Sequence, residues 1–210
     1  MLKTDVTDEE LMLSFRAGDA RAFETLVARH RTPVFNFILR LTGQRARAED
    51  LLQETWLKVV RGAQDWQPKA RFTTWVYTIA RNLCVDSARK ESYRKADSLD
   101  APVAAGGDGD GRALGEALPD IGGTSPDRGA YNRRLRPLIE AALQSLPEEQ
   151  REVFLLREYS GIPFKEIADV TGVPENTVKS RMRYALEGLR RKLAELGVDG
   201  DMAEERTALG

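Results

Sequence analysis

The sequence predicts an all-α protein built from two small helical domains, and three observations carry that reading. Apolar residues recur at i, i+3, i+4 along most of the chain, the period that lines one face of a helix. Helix-starting and helix-ending residues bracket these stretches. No segment shows the strict alternation of a half-buried strand, and no internal repeat stands out. At 210 residues, 41% apolar and 31% charged, the chain can hold one medium domain or two small ones.

The elements follow in order. "TDEE", Thr7 to Glu10, has the spacing of a capping box, in which Thr7 accepts from the N3 amide and Glu10 reaches back. Gly18-Asp19 ends that helix and "DARAFETLVARH" starts another. Pro33 is expected to kink or interrupt it, because proline removes a helical donor and crowds the preceding turn. His30, among basic residues in "ARHRTP", is assigned to a solvated helix end. After "TGQRA" a third helix runs through "AEDLLQETWLKVV", with Ala48, Leu51, Leu52, Thr55, Trp56 and Val59 forming its buried stripe.

The next helix starts in "RFTTWVYTIARN". Phe72, Trp75, Val76, Ile79, Ala80 and Leu83 fall on one face, so its aromatics are assigned to the core rather than to a base-stacking platform. Thr74, Tyr77, Thr78, Arg81 and Asn82, then Arg89, fall on the other. From Arg71 to Lys95 six basic residues less two acidic ones give +4. Such a basic face suits nucleic acid or plain solvent.

Composition breaks between residues 96 and 130, which hold eight glycines and three prolines and carry seven acidic against two basic residues, a balance of −5. Too little apolar surface is available there to offset the entropy of ordering, so residues 96–130 are expected to be a flexible acidic linker between domains 1–95 and 131–195. Residues 196–210 are expected to be a disordered tail.

In the second domain, Ser145 and Glu148 have capping-box spacing and Pro147 suits a first turn. Gly161 closes that helix and Pro163 opens "FKEIADVTG". Gly172 permits a tight turn, and Pro174 presets the helix "NTVKSRMRYALEGLRRKL". This is the layout of a helix-turn-helix. Ala168 lets the two helices approach while Ile167 and Val178 fill the space between them. Val178, Met182, Ala185 and Leu189 pack the last helix. Asn176, Thr177, Lys179, Ser180, Arg183 and Tyr184 then point to solvent or a groove, with Arg181 close by. Pro174 to Lys192 carries six basic and two acidic residues, again +4. These residue types reach phosphates and base edges in a DNA major groove; a solvated helix explains the charges but not the turn before them.

Other chemistries find little footing. One histidine and one cysteine, Cys84, do not make a zinc site, a Ser-His or Cys-His pair, or an internal disulfide. Cys84 is assigned to the core as a small hydrophobe rather than to redox sensing. No apolar run reaches membrane-span length and the first residues lack a signal-peptide core, so a cytoplasmic location without membrane insertion is expected. Neither phosphate loop nor nucleophile–base set is visible. The chain is therefore read as a non-enzyme with no catalytic residues, metal or cofactor.

The motifs "AEDLLQETWLKV", "FTTWVYTIARN", "LPEEQREVFLLREYSGIPFKEIA" and "VPENTVKSRM", in this order, resemble the extracytoplasmic-function (group IV) sigma factors of bacterial RNA polymerase. The resemblance spans about 1–95 and 131–195. It implies a transcription initiation factor that binds core RNA polymerase, on its clamp and flap, and directs it to promoters. Asp50, Gln53, Glu54 and Leu57 would face the clamp; their i, i+3, i+4, i+7 spacing sets them apart from the buried stripe and suits a partner or solvent. Trp66 and Asn82 would hold an unstacked base of the melted minus-ten element, with Arg81, Arg89 and Lys90 on phosphates. Melting would follow from preferential binding of the opened strand, without nucleotide hydrolysis.

Asn176, Thr177, Lys179, Ser180, Arg181, Arg183 and Tyr184 would read duplex minus-thirty-five DNA. Two departures bear on base preference: Asn176 stands where the family usually has Gly before the Thr-Val pair, and Arg183-Tyr184 stands in for a second arginine after "SR". By the same resemblance an anti-sigma factor is an expected partner. The alternative is a free-standing helix-turn-helix regulator that binds operator DNA without polymerase. It would need a dimerisation element, and none is visible.

Overall fold

The computed structural model describes residues 6–68, 71–98 and 126–198, and those residues form eight α-helices and no strand. They fall into two compact units. The first holds α1 (Asp8–Arg16), α2 (Ala20–Thr42), α3 (Arg45–Gly62) and α4 (Phe72–Ser98); the second holds α5 (Pro126–Gln144), α6 (Glu148–Phe154), α7 (Phe164–Thr171) and α8 (Glu175–Glu195). The expected linker lies outside the described residues over 99–125, and its two ends belong instead to α4 and α5. Of the expected tail, 199–210 lie outside the described residues.

In the first unit α2 is the central element, packed by α1, α3 and α4. α1 starts at the expected capping box: the Glu10 amide donates to Thr7 Oγ1 at 3.2 Å and the Thr7 amide to Glu10 Oε2 at 2.8 Å. The Thr7 amide, together with the Thr7 hydroxyl at 3.0 Å from Glu10 Oε2, holds the Glu10 carboxyl below its ordinary pKa. α2 runs unbroken through Pro33, contrary to any interruption there. The carbonyl deprived of a donor is that of Arg29, on an exposed stretch where water can serve it. His30 consequently sits inside a helix rather than at its end. Its Nε2 lies 2.6 Å from Asp8 Oδ2 and its ring 5.4 Å from that of Phe72.

The buried stripe of α3 is as expected for Ala48, Leu51, Leu52, Thr55 and Val59, with Trp56 half-buried. On α4 the buried arc is turned from the stripe the sequence suggests. Phe72, Val76, Ala80 and Leu83 are buried, as is Cys84, but Trp75 and Ile79 are only half-buried while Tyr77 is buried. Tyr77 belongs to the core because α4 packs on both α2 and α3; its ring meets Phe37 edge-on at 5.2 Å.

In the second unit α8 is the central element, packed by α5, α6 and α7. Ser145 does not cap α6: its hydroxyl donates to the Ala142 carbonyl at 2.7 Å, and Pro147 takes the N-cap position without a side-chain bond. One widened helical turn, Leu155–Tyr159, follows α6. Gly188 sits in the middle of α8 because a Cβ there would lie 2.7 Å from Leu146 Cδ2, so close packing offsets the poor helix propensity of glycine.

Candidate nucleic-acid interface

The second unit offers the more defined surface. Gly172, at φ +70°, ends α7, and its amide donates to the Ala168 carbonyl at 2.9 Å. That left-handed turn is available to glycine at little cost, and it brings α8 back across α7. Ile167 and Val178 are completely buried between the two helices, and Met182, Ala185 and Leu189 continue the packed side of α8. With that side fixed, Asn176, Lys179, Ser180, Arg183 and Tyr184 are exposed and Thr177 is half-exposed.

The exposed side chains are not idle. Lys179 pairs with Glu175 at 2.7 Å. Arg183 lies over the Tyr184 ring at 4.8 Å, donates to its hydroxyl at 3.1 Å and sits 3.9 Å from Glu187. Arg181 differs from its neighbours: it is largely covered and donates to Glu149 of α6 at 2.6 Å. It braces α8 against α6 while the others face outward.

In the first unit, Asp50, Gln53, Glu54 and Leu57 are all exposed on α3, with Leu57 at 54%. Val60, one turn on from Leu57, is also exposed, so the face is more apolar than the sequence reading had it. On α4, Asn82, Arg89 and Lys90 are exposed and Arg81 is half-exposed, donating to Asn82 Oδ1 at 3.3 Å. Arg47 of α3 donates to Ser87 Oγ at 2.8 Å and pairs with Glu91, which holds the later turns of α4 against α3.

Comparison with known proteins decides the family. Residues 26–94 match the model of Sigma-70 region 2 and residues 136–189 that of Sigma-70, region 4. The RNA polymerase sigma-H factor of Pseudomonas aeruginosa is 31% identical over 194 residues, covering 92% of this chain and 97% of that one. The chain belongs to the sigma-70 family. It is an extracytoplasmic-function sigma factor, a promoter-directing initiation factor. The ECF RNA polymerase sigma-E factor of Escherichia coli K12 is 28% identical over 199 residues, covering 93% of this chain and 98% of the relative. Two solved structures share the fold. The sigma factor RpoE in complex with the anti-sigma factor NepR, from Bartonella quintana, has a TM-score of 0.64 at 23% identity and covers 83% of this chain and 98% of its own. CnrH in complex with the cytosolic domain of CnrY has a TM-score of 0.59 at 22% identity and covers 92% and 99%.

α2 to α4 are thus the region 2 part of this sigma factor, and most of α5 to α8 is region 4. One expected contact residue of region 2 is corrected. Trp66 is only 4% exposed, packed against Trp75 at 6.3 Å between ring centres, and its indole N–H meets no acceptor among the described residues. Its carbonyl accepts from Arg16 Nη1 at 3.0 Å. Trp66 is therefore scaffold rather than a presented aromatic. Tyr93 is the exposed aromatic of region 2, at 66%. Its exposure has a signal in the sequence, for Asn82, Arg89 and Tyr93 stand at i, i+7, i+11 and share a stripe. Among the described residues no helix is long and apolar enough to cross a membrane.

Proposed function

We propose that the exposed side of α8 reads duplex minus-thirty-five DNA, that the α4 face holds the melted minus-ten strand, and that α3 docks on the polymerase clamp. The observation that carries this reading is the division of α8. Asn176, Lys179, Ser180 and Arg183 repeat at i, i+3, i+4, i+7 on an exposed face, directly across from buried Val178, Met182 and Ala185. Seven residues of helix span about 10 Å, roughly three base-pair steps in a groove that admits one helix. Arg183 supplies a pair of donors and Asn176 one donor and one acceptor for bidentate contacts to base edges, while Lys179 and Ser180 suit phosphates. Arg181 enters as a brace that aligns the helix, and Thr177 and Tyr184 flank the contact.

On α4, Arg81, Asn82, Arg89 and Lys90 combine cations for the backbone with one amide for a base edge. Binding that is tighter to the open strand than to the duplex shifts the equilibrium toward melting, so no catalysis by this chain is required. Asp50, Gln53, Glu54 and Leu57 offer the clamp an acidic rim around an exposed apolar side chain, and region 4 rests on the flap. An anti-sigma factor is a further partner, in line with the complexes of the two structural relatives. The working location is the cytoplasm, where polymerase and promoter are found.

The test is run-off transcription with purified core polymerase on genomic promoter fragments. Initiation that depends on the added chain, with a stable complex on core, is the expected outcome. Absence of both a complex and any transcript would refute the proposal, and tight polymerase-independent binding to a palindrome would favour the free-standing regulator.

A further inference from the structure

The sequence assigns α1 nothing beyond its capping box, yet α1 bonds the backbone at two points on the way from α3 to α4, at Trp66 within the joining segment and at Phe72 where α4 begins. Glu9 Oε1 accepts the Phe72 amide at 2.9 Å. Arg16 Nη1 donates to the Trp66 carbonyl at 3.0 Å. These bonds cross 63 and 50 residues of sequence. Glu9 and Arg16 are seven residues apart, two helical turns on one face, with fully buried Met12 between them.

Each contact suits its target. Phe72 is the first residue of α4, so its amide is one of the four that a helix leaves without an internal partner, at the end where the helix dipole favours an anion. Trp66 follows α3, and its amide bonds back to the Gly62 carbonyl at 3.1 Å; its own carbonyl takes the Arg16 guanidinium instead. The side chains are held as well. Phe72 and Trp66 are both buried, and the ring of each lies 6.3 Å from that of Trp75. Phe72 is further backed by His30, which Asp8 holds from the same turn of α1 as Glu9.

We propose that Glu9 and Arg16 are positioning residues for minus-ten capture: from α1 they fix where α4 begins, and with it the setting of Arg81 and Asn82 about ten residues on. The inference rests on the minus-ten role given to α4 above. It explains why the two anchors grip backbone rather than side chains. Backbone anchors set the axial and rotational register of a helix whatever side chains it carries, and a recognition face needs that register within roughly 0.5 Å.

The experiment uses the full chain in holoenzyme, on a duplex promoter obtained from the run-off screen. Permanganate reactivity of unpaired thymines measures opening. Binding to core, and to a duplex carrying only the minus-thirty-five element, is measured beside it. Glu9→Ala and Arg16→Ala are each expected to lower the open fraction on the order of tenfold, the size of one lost charge-assisted hydrogen bond. Glu9→Gln keeps an acceptor for the Phe72 amide and is expected to stay within about threefold of wild type. Core affinity and minus-thirty-five affinity are expected to hold. Opening by Glu9→Ala and Arg16→Ala at the wild-type level overturns the inference alone. So does a loss of opening matched by an equal loss of core affinity, or one that Glu9→Gln does not relieve, since each marks a merely structural role. A wild-type holoenzyme that binds core yet opens no promoter overturns the minus-ten assignment itself, and the inference with it.

Discussion

Val178→Ala tests the packing on which the minus-thirty-five assignment depends. Val178 is fully buried in the angle between α7 and α8, and the exposed face of α8 is defined by the side it anchors. Removing two carbons forfeits about 1.6 kcal/mol of transfer free energy at ~0.8 kcal/mol per carbon. A cavity of up to roughly 50 Å³ adds up to ~1.2 kcal/mol if the helices do not close on it. The sum, about 2–3 kcal/mol, is a large share of the ~4–11 kcal/mol expected for a unit of some seventy residues. It should take roughly 10–20 °C off the melting temperature of that unit. All three tryptophans, Trp56, Trp66 and Trp75, lie in the first unit, so indole fluorescence is blind to this change. Far-UV circular dichroism is the assay. The opposite variant, Val178→Ile, adds a methylene at a fully buried position and should cost about 1–3 kcal/mol. A shift below about 3 °C for Val178→Ala would refute the reasoning, because the plug would then not hold the two helices.

Arg183→Ala should weaken binding to minus-thirty-five duplex by about 1–3 kcal/mol and relax preference at one base pair, read by gel shift on a substituted promoter series. Arg181→Ala should cost less in affinity and leave base preference intact, since Arg181 is engaged with Glu149. Glu175→Gln with Glu187→Gln should raise affinity for nonspecific duplex several-fold, measured by anisotropy at fixed salt. Tyr77→Ala should cost about 3–5 kcal/mol, as for other buried aromatics, and here indole fluorescence reads the loss. Thr7→Ala, followed by NMR titration, should raise the Glu10 carboxyl part of the way toward its ordinary range, because the hydroxyl is lost while the backbone amide at position 7 still donates to it. Because Glu10 is lowered in the folded chain, its contribution to α1 is complete above the ordinary carboxylate pKa, and it is lost as pH falls through the lowered value.

The local signals in the sequence located the helices and the turn. The i, i+3, i+4 stripe of α3, the capping box at Thr7 and the Gly172 turn are each decided within a few residues of chain, and each is where the sequence puts it. What escaped depends on partners far along the chain. Trp66 stands between Asp65 and Gln67, polar company that suggests exposure, and only the approach of Trp75 and Arg16 buries it. Tyr77 looks polar by its hydroxyl, but α4 packs on both α2 and α3, and the arc it buries is turned toward Tyr77 and away from Trp75 and Ile79. Ser145 and Glu148 have the right spacing for a cap, yet the hydroxyl found a nearer acceptor at Ala142. His30 was misplaced because Pro33 was given more weight than one exposed carbonyl warrants. The exposed sides of α3 and α8 were legible because their complement, the buried side, has the stronger pattern.

The charges on α8 bear on how such a surface discriminates. Lys179 and Arg183 each have an acid one turn away, and Arg181 has one on α6. Exposed pairs of this kind are worth at most about 1 kcal/mol each, so DNA can displace them readily. Every displacement nevertheless leaves a carboxylate close to the phosphates, and that repulsion opposes any duplex, whatever its sequence. Binding driven by counterion release is thereby kept small, whereas hydrogen bonds from Asn176 and Arg183 to base edges keep their full value. With a net charge of only −1 over the whole chain, no general attraction to DNA makes up the difference. On the proposed reading, α8 is thus arranged to gain most from the right bases, with the polymerase supplying what the electrostatics withhold.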